Sequence, residues 1–432
     1  MTVFLRRRSH WAALLGGALL SIMAITASAS GVGSGIGAAV NIALNGAQDT
    51  ERSSRAGAAS GQLEPLRIGV IATYSGPYAD YGRQFDAGMA VYLDEHDGKV
   101  AGRPLEIIRR DTGGPAPELA RRHAQELIVR DRVHLISGLD FSPNALAVAP
   151  VVTQGKTPTI IMNAAASGLP AKSPYMARVA FTIQQVTVPM AQWLRQQGVN
   201  TAYTVVANYA SGLDAEVAFR TVFEEAGGTV VGSVRTPMNN PDFSAYVQRI
   251  KDAAPDAAFF FFPSGVMPQA FLKAWRERGL AEAGIQLVAT GEATDDSYLE
   301  ATADLAQGLV TSHHYSHAHE SAMNQGFIKR FQQLHGTALR PSYFAVAAYD
   351  ALAALDAALT QTGGDTAPDT LMQALAGLKF ESPRGPIQID PQTRDIVQTV
   401  YIRRTEQRDG AWVNVEFDRV EAVRDPAYPV VP

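Results

Sequence analysis

From Leu66 onward, short runs of branched apolar residues alternate with segments whose apolar positions recur at helical spacing. Leu66-Arg67-Ile68-Gly69-Val70-Ile71-Ala72-Thr73 is bounded by turn chemistry, which predicts a strand buried on both faces of a parallel sheet. A polar, glycine-bearing loop at 74–82 follows, and a helix is expected over about 84–96. The same alternation continues through residue 182. After a helix at about 186–197, a second series of strands and helices runs to about 290. Two βα series predict an α/β protein with two doubly wound, Rossmann-like lobes.

Beyond about residue 314 the pattern becomes helical, notably in the alanine-rich stretch 342–360, and the chain ends in segments that read as strands with hairpin-like links. Helices belonging with one lobe, followed by strands belonging with the other, require more than one crossing between lobes. Such crossings form a hinge, and a hinge between rigid lobes permits closure around a ligand. Ligands of open α/β sheets bind outside the carboxyl ends of the strands. The loop after the first strand carries tyrosines, a serine and backbone amides, groups suited to a small molecule. Tyr81 here and Tyr209, after a strand of the second lobe, are expected at the cleft edge. Ser142 opens a helix, as an N-cap or with its N–H toward the ligand.

A length of 432 residues suits two domains, and the net charge of −5 provides no basic field for nucleic acid. The chain contains no cysteine, which removes disulfides, thiolate catalysis and zinc–sulfur sites. Arg6-Arg7-Arg8, an apolar stretch from Trp11 to about Ala27, and the small residues Ala27-Ser28-Ala29 describe a secretory signal peptide over 1–29. A retained membrane anchor is the alternative. Residues 30–64, rich in Gly, Ala and Ser, read as a flexible spacer.

Several suggestive motifs fail their structural tests. Gly31–Gly37 has no preceding strand, so it is not a dinucleotide loop. Gly155-Lys156-Thr157 lacks the earlier glycine of a phosphate loop. His313-His314-Tyr315-Ser316-His317-Ala318-His319 resembles a metal box, but on a strand alternate histidines face opposite sides. No G-x-S-x-G elbow occurs. The run Phe259–Phe262 reads as core strand. No cofactor, metal or catalytic residue is expected.

Ser75-Gly76-Pro77, Tyr81-Gly82, Gly102-Arg103-Pro104-Leu105, Pro241-Asp242-Phe243-Ser244, Ala348-Tyr349-Asp350 and Ser382-Pro383-Arg384-Gly385, in this order, resemble the periplasmic solute-binding proteins of the branched-chain amino acid type that feed ABC importers. The resemblance covers residues 66–428. It implies a type I binding-protein fold with three inter-lobe strands. By analogy, lobe 1 takes 66–182 and 313–383, and lobe 2 takes 183–312 and 384–428. It implies a periplasmic location and an ABC permease in the inner membrane as partner.

The resemblance also implies site residues. A ligand carboxylate is expected against Tyr81, Ser142 and the turn Asn163–Ser167, with Ala164 contributing through its backbone. Ala166 stands where the family often has threonine, with Ser167 beside it. Asp140 and Phe141 replace a more hydroxyl-rich loop. From lobe 2, Tyr209 is expected to close over the ligand. Glu292 matches an acidic position that pairs an ammonium group, and Gly265 lies in a loop where the family carries tyrosine. The apolar replacements at Phe141, Ala166 and Gly265 favour a hydrophobic or aromatic small acid. Branched-chain amino acids or amides are the alternative because of Glu292. A ligand-sensing module is a further use of the same fold.

Overall fold

The computed structural model describes residues 64–427 apart from 240 and 241. The expected signal peptide, all but the last residue of the spacer, and Pro241 lie outside the described residues. In the first lobe, β1 (Leu66–Ala72) pairs in parallel with β3 (Arg103–Asp111) and β4 (Leu135–Gly138). β5 (Thr159–Ile161) and β6 (Met176–Arg178) continue the sheet, and the short β2 (Lys99–Val100) closes its far edge. The order is therefore β2-β3-β1-β4-β5-β6. The connecting helices are α1 (Ala79–Glu95), α2 (Pro117–Val129) and α3 (Ser142–Gly155). β1, β4 and β5 are buried almost throughout, as expected for strands covered on both faces, whereas the charged β3 near the edge is half-exposed.

The second lobe repeats the plan. β7 (Thr201–Ala207) lies between β8 (Thr229–Thr236) and β9 (Ala257–Phe261), followed by β10 (Gln286–Thr290) and β11 (Val310–His313). Its helices are α4 (Ile183–Gln196), α5 (Ala210–Glu225), α6 (Ser244–Ala253), α7 (Val266–Glu277) and α8 (Leu299–Ala306). In each sheet the strand order reverses at the first strand, giving switch points between β1 and β4 and between β7 and β9.

Three helices then return to the first lobe: α9 (Ala322–His335), α10 (Tyr343–Gln361) and α11 (Pro368–Leu375). α10 approaches α1 so closely that a Cβ at Gly88 would stand 1.9 Å from the Ala345 carbonyl oxygen. Last come β12 (Lys379–Ser382), β13 (Gly385–Ile389), β14 (Ile396–Arg408) and β15 (Ala411–Val423). β14 pairs antiparallel with β11 and extends the second sheet. β12 falls within the span expected for the first lobe, yet the two-residue loop Pro383-Arg384 folds it onto β13 at the second sheet's edge. The chain thus crosses between lobes three times, after β6, β11 and α11.

Buried ion pairs hold these crossings. Arg178, at the end of β6, meets Asp395 with two bonds of 2.8 Å and also donates to the carbonyls of Ala164 and Ala166. Arg384 pairs with Asp350 of α10 at 3.0 Å and donates to the carbonyls of Val179 and Ala180.

Several elements differ from expectation. α1 begins at Ala79 because the short 3-10 turn Gly76–Tyr78 leads directly into it. β2, α8 and β12 are short and carry little periodicity of their own. His313 and His314 are both buried rather than on opposite faces, with ring centroids 4.3 Å apart. β11 ends at His313, so strand alternation no longer governs the next residue.

Candidate functional site

A narrow, largely closed cavity lies where the two switch points face each other. Its first-lobe wall comes from the loops after β1, β4 and β5, which contribute Tyr81, Asp140, Phe141, Ser142, Asn163 and Ala165. Phe181 enters from the first crossing and Tyr343 from the start of α10. The second-lobe wall holds Tyr209 and Ser211 after β7, then Phe261, Pro263 and Ser264 after β9, and Glu292 after β10. Six of these side chains are aromatic, and none is basic.

The rings form two groups, one on each side of the cavity. Tyr81 stacks on Phe344 at 4.1 Å and on Phe141 at 5.6 Å, while Tyr209 stacks on Phe261 at 5.9 Å. Hydrogen bonds draw the lobes together around them. The Tyr81 hydroxyl donates to the Ser264 carbonyl at 2.8 Å. Ser142 Oγ and Ser211 Oγ are 2.9 Å apart, one from each lobe. Ser264 Oγ and the Tyr343 hydroxyl are also 2.9 Å apart.

The serine pair sits at two helix N-termini. Phe141, with an extended backbone, is the N-cap of α3, so Ser142 takes the first helical position instead of the cap. Its hydroxyl accepts from the Ala166 N–H at 3.0 Å and meets Ser211 in the first turn of α5. Backbone N–H groups and hydroxyls converging from both lobes can hold a carboxylate without a fixed countercharge.

The two carboxyl groups at the cavity differ. Asp140 accepts from the Thr73 N–H at 2.7 Å and from the Phe141 N–H at 3.0 Å. Burial nevertheless pushes its carboxyl up to about 6. Glu292 is only 4% exposed, and its Oε2 has no hydrogen-bond partner among the described residues. His313 Nε2 is 3.9 Å away, beyond hydrogen-bonding distance. Burial raises the Glu292 carboxyl to about 7, a shift that Arg403 and the Thr290 hydroxyl only partly offset. Burial drives His313 and His314 well below the ordinary imidazole range, so both are neutral. Each such unsatisfied buried atom costs about 1–3 kcal/mol.

Of the residues singled out from sequence, Tyr81, Phe141, Ser142, Tyr209 and Glu292 meet at the cavity. Ala164, Ala166, Ser167 and Gly265 do not line it. The Ala164 N–H donates to the Leu139 carbonyl at 2.8 Å, so its backbone donor serves the fold. The Ala166 N–H is held by Ser142. Ser167 is bound by Asp214 through its N–H and by Asp425 through its hydroxyl. Gly265, at φ +112°, caps α7 and faces the Tyr298 ring. Phe261 is both core strand and cavity wall, because it ends β9 at the switch point.

Phe181, Ser264 and Tyr343 carried no local signature. Their signal is positional: each lies at the carboxyl end of a strand or at a crossing. Among the described residues, no group of three or more His, Cys, Asp or Glu side chains is placed to hold a metal ion. His319 instead pairs with Glu416 at 2.9 Å.

Residues 65–411 match the family model for periplasmic binding proteins, and the chain belongs to that family. A relative in Brucella melitensis, named Leu/Ile/Val-binding protein homolog 6, is 38% identical over 370 residues, covering 85% of this chain and 95% of the relative. A solute-binding protein of an ABC transporter from Rhodopseudomonas palustris BisB5, solved in complex with 3,4-dihydroxybenzoic acid, is 42% identical, with a TM-score of 0.81 over 84% of this chain and 99% of that one. A second from R. palustris, solved in complex with 4-hydroxybenzoate, is 38% identical, with a TM-score of 0.82 over 85% of this chain and 100% of that one. The fold is that of the type I periplasmic binding proteins, and the protein binds a solute rather than converting one.

Proposed function

We propose that this member of the periplasmic binding protein family captures a small aromatic carboxylate in the periplasm and delivers it to the permease of an ABC importer in the inner membrane. The observation that carries this reading is the cavity itself: six aromatic walls, a pair of serines at facing helix N-termini, and no basic side chain. The rings remove an apolar ring from water, and the serine end takes the carboxylate. Ligand binds one lobe first, and closure then brings Tyr209, Ser211 and Glu292 onto it. The closed state prevails through contacts that both lobes make to one molecule. The permease reads the closed shape. Relatives that hold dihydroxybenzoic acid and 4-hydroxybenzoate support the ligand class.

A second reading, a branched-chain amino acid, is favoured by Glu292, which offers an anion to an ammonium group, and by the name of the Brucella relative. A thermal-shift and calorimetric comparison separates the two. Benzoate and hydroxybenzoates should stabilise the protein, by about 2.7 kcal/mol at 100-fold the dissociation constant. Stabilisation by leucine, isoleucine or valine alone would replace the first reading with the second.

A further inference from the structure

Among the described residues, two buried acceptors on the cleft wall lack a partner, Asn163 Oδ1 and Glu292 Oε2, and only Glu292 is a carboxyl. Asp140, the other carboxyl on its wall, has both oxygens occupied by backbone N–H groups. Ser142, Ser211, Ser264 and the tyrosine hydroxyls of 81 and 343 are engaged with one another or with the backbone. Glu292 Oε2 has no partner, and neither ring nitrogen of the neighbouring His313 has one. An acceptor left open on a cavity wall selects a donor on whatever enters the cavity.

The surroundings fix this pair in place. Glu292 lies in the short turn Gly291–Thr294 at the end of β10. A Cβ at Gly291 would stand 2.3 Å from His313 Cγ and 2.4 Å from an Arg403 nitrogen, so only glycine lets the turn close on the imidazole. On its other sides the His313 ring contacts Phe181 at 5.0 Å, Tyr343 at 4.6 Å and His314 at 4.3 Å. Phe181 and Tyr343 are themselves cavity walls. His313 therefore packs against the turn that carries Glu292.

The same arrangement orients the ligand. A ligand carboxylate beside Glu292 would set two acidic groups together in a desolvated site, which is unfavourable. The carboxylate therefore goes to the serine pair, whose hydrogen bonds do not involve Glu292. That leaves the rest of the ring to meet Glu292.

We propose that Glu292 reads a hydrogen-bond-donating substituent on the ring of an aromatic carboxylate, so that the cleft selects hydroxybenzoates over unsubstituted benzoate. This rests on the aromatic-carboxylate reading given above. Glu292 accepts from the phenolic hydroxyl, and a ring lacking that donor leaves the carboxyl unsatisfied in the closed cleft. No bond is made or broken.

The test is calorimetric titration of the full chain and of its Glu292→Leu and Glu292→Gln variants with benzoate, 4-hydroxybenzoate and 4-methylbenzoate. At pH 8, where the Glu292 carboxyl is ionised, wild type should bind 4-hydroxybenzoate at least about tenfold tighter than the other two, as expected for a hydrogen bond to a charged group. In Glu292→Leu that ratio should fall to within about threefold of unity. Glu292→Gln keeps the shape and covers the case in which Glu292→Leu does not fold. It should lower the ratio and abolish the long-wavelength shift in ultraviolet absorbance that 4-hydroxybenzoate shows when its phenol donates to a carboxylate. An unchanged ratio and unchanged spectrum in Glu292→Gln would overturn the proposal while leaving the aromatic reading intact. Equal binding of all three ring acids by wild type would do the same. Failure of every benzoate to bind, with leucine bound instead, would overturn the ligand class and the proposal together.

Discussion

At the first crossing Arg178 is wholly enclosed, and each of its guanidinium nitrogens donates to Asp395 or to carbonyls of the first lobe. At the cleft Glu292, His313 and His314 are enclosed almost as completely, yet Glu292 Oε2 and all four imidazole nitrogens lack partners. The difference separates two uses of a buried polar group. One that closes on its own partners specifies the fold, here the geometry of a hinge. One held open carries a desolvation cost that a ligand can relieve, and such groups concentrate at binding sites.

The sharpest way to break this contrast is to open the closed pair. Arg178→Met leaves Asp395 buried and uncompensated, and it strips a donor from the carbonyls of Ala164 and Ala166. A loss of about 3–5 kcal/mol in urea unfolding is expected. The double variant Arg178→Met, Asp395→Leu should recover much of it, because the paired desolvation penalty disappears as well. A loss below about 1 kcal/mol in the single variant would mean that the crossing is not held by this pair.

The open cluster makes the opposite prediction. In the fold Glu292 keeps its proton up to about pH 7, whereas its ordinary value is 4.5. The folded state therefore binds more protons than the unfolded state across that window, and stability falls as pH rises through it. Glutamine does not titrate. Glu292→Gln should thus match wild type near pH 4 and exceed it by about 3 kcal/mol at pH 8, at roughly 1.4 kcal/mol per unit. Asp140 and Asp295 titrate alike in both proteins and drop out of the difference. Parallel stability curves from pH 4 to 8 would show that Glu292 is not desolvated by the fold.

How the sequence presents these two regions follows from their construction. The strands of both lobes and the loops at their carboxyl ends are local patterns, so the cleft and Tyr81, Ser142 and Tyr209 were legible along the chain, whereas Phe141 and Glu292 were marked only by the resemblance to the binding-protein family. Tyr81 and Ser264 meet across 183 positions, and no window of sequence contains both. Tyr343 is one apolar residue in the run of a core helix, and its hydroxyl acquires meaning only when Ser264 reaches it. His313 looked like part of a metal box or an ordinary alternating strand. Its neighbour Gly291 was silent, because close approach of backbone to a ring leaves no periodic trace.

Gly291→Ala tests that approach. The new Cβ would overlap the His313 ring and the Arg403 guanidinium, both in a dense interior. A destabilisation of about 1–3 kcal/mol is expected from forced displacement of packed groups. Preference for hydroxybenzoate over benzoate should fall with it if the turn aims Glu292. Equal loss of stability with an unchanged preference would confine Gly291 to packing.

The smallest effect, and the one that best separates the two sides of the cavity, belongs to Ser142→Ala. Its hydroxyl lies on the satisfied side, shared between Ser211 of the other lobe and the Ala166 N–H. Removing it takes away one inter-lobe hydrogen bond and leaves Ala166 without its side-chain acceptor, a change of about 0.5–1.5 kcal/mol in the closed state. Because this bond favours closure whatever ring is present, dissociation constants should rise about three- to tenfold for benzoate and 4-hydroxybenzoate alike. Glu292 substitutions change the ratio between ligands, whereas Ser142→Ala should leave it fixed. Titrating both acids against the variant measures this directly. A change in ratio here would place the ring substituent, rather than the carboxylate, at the serine pair and reverse the orientation of the ligand.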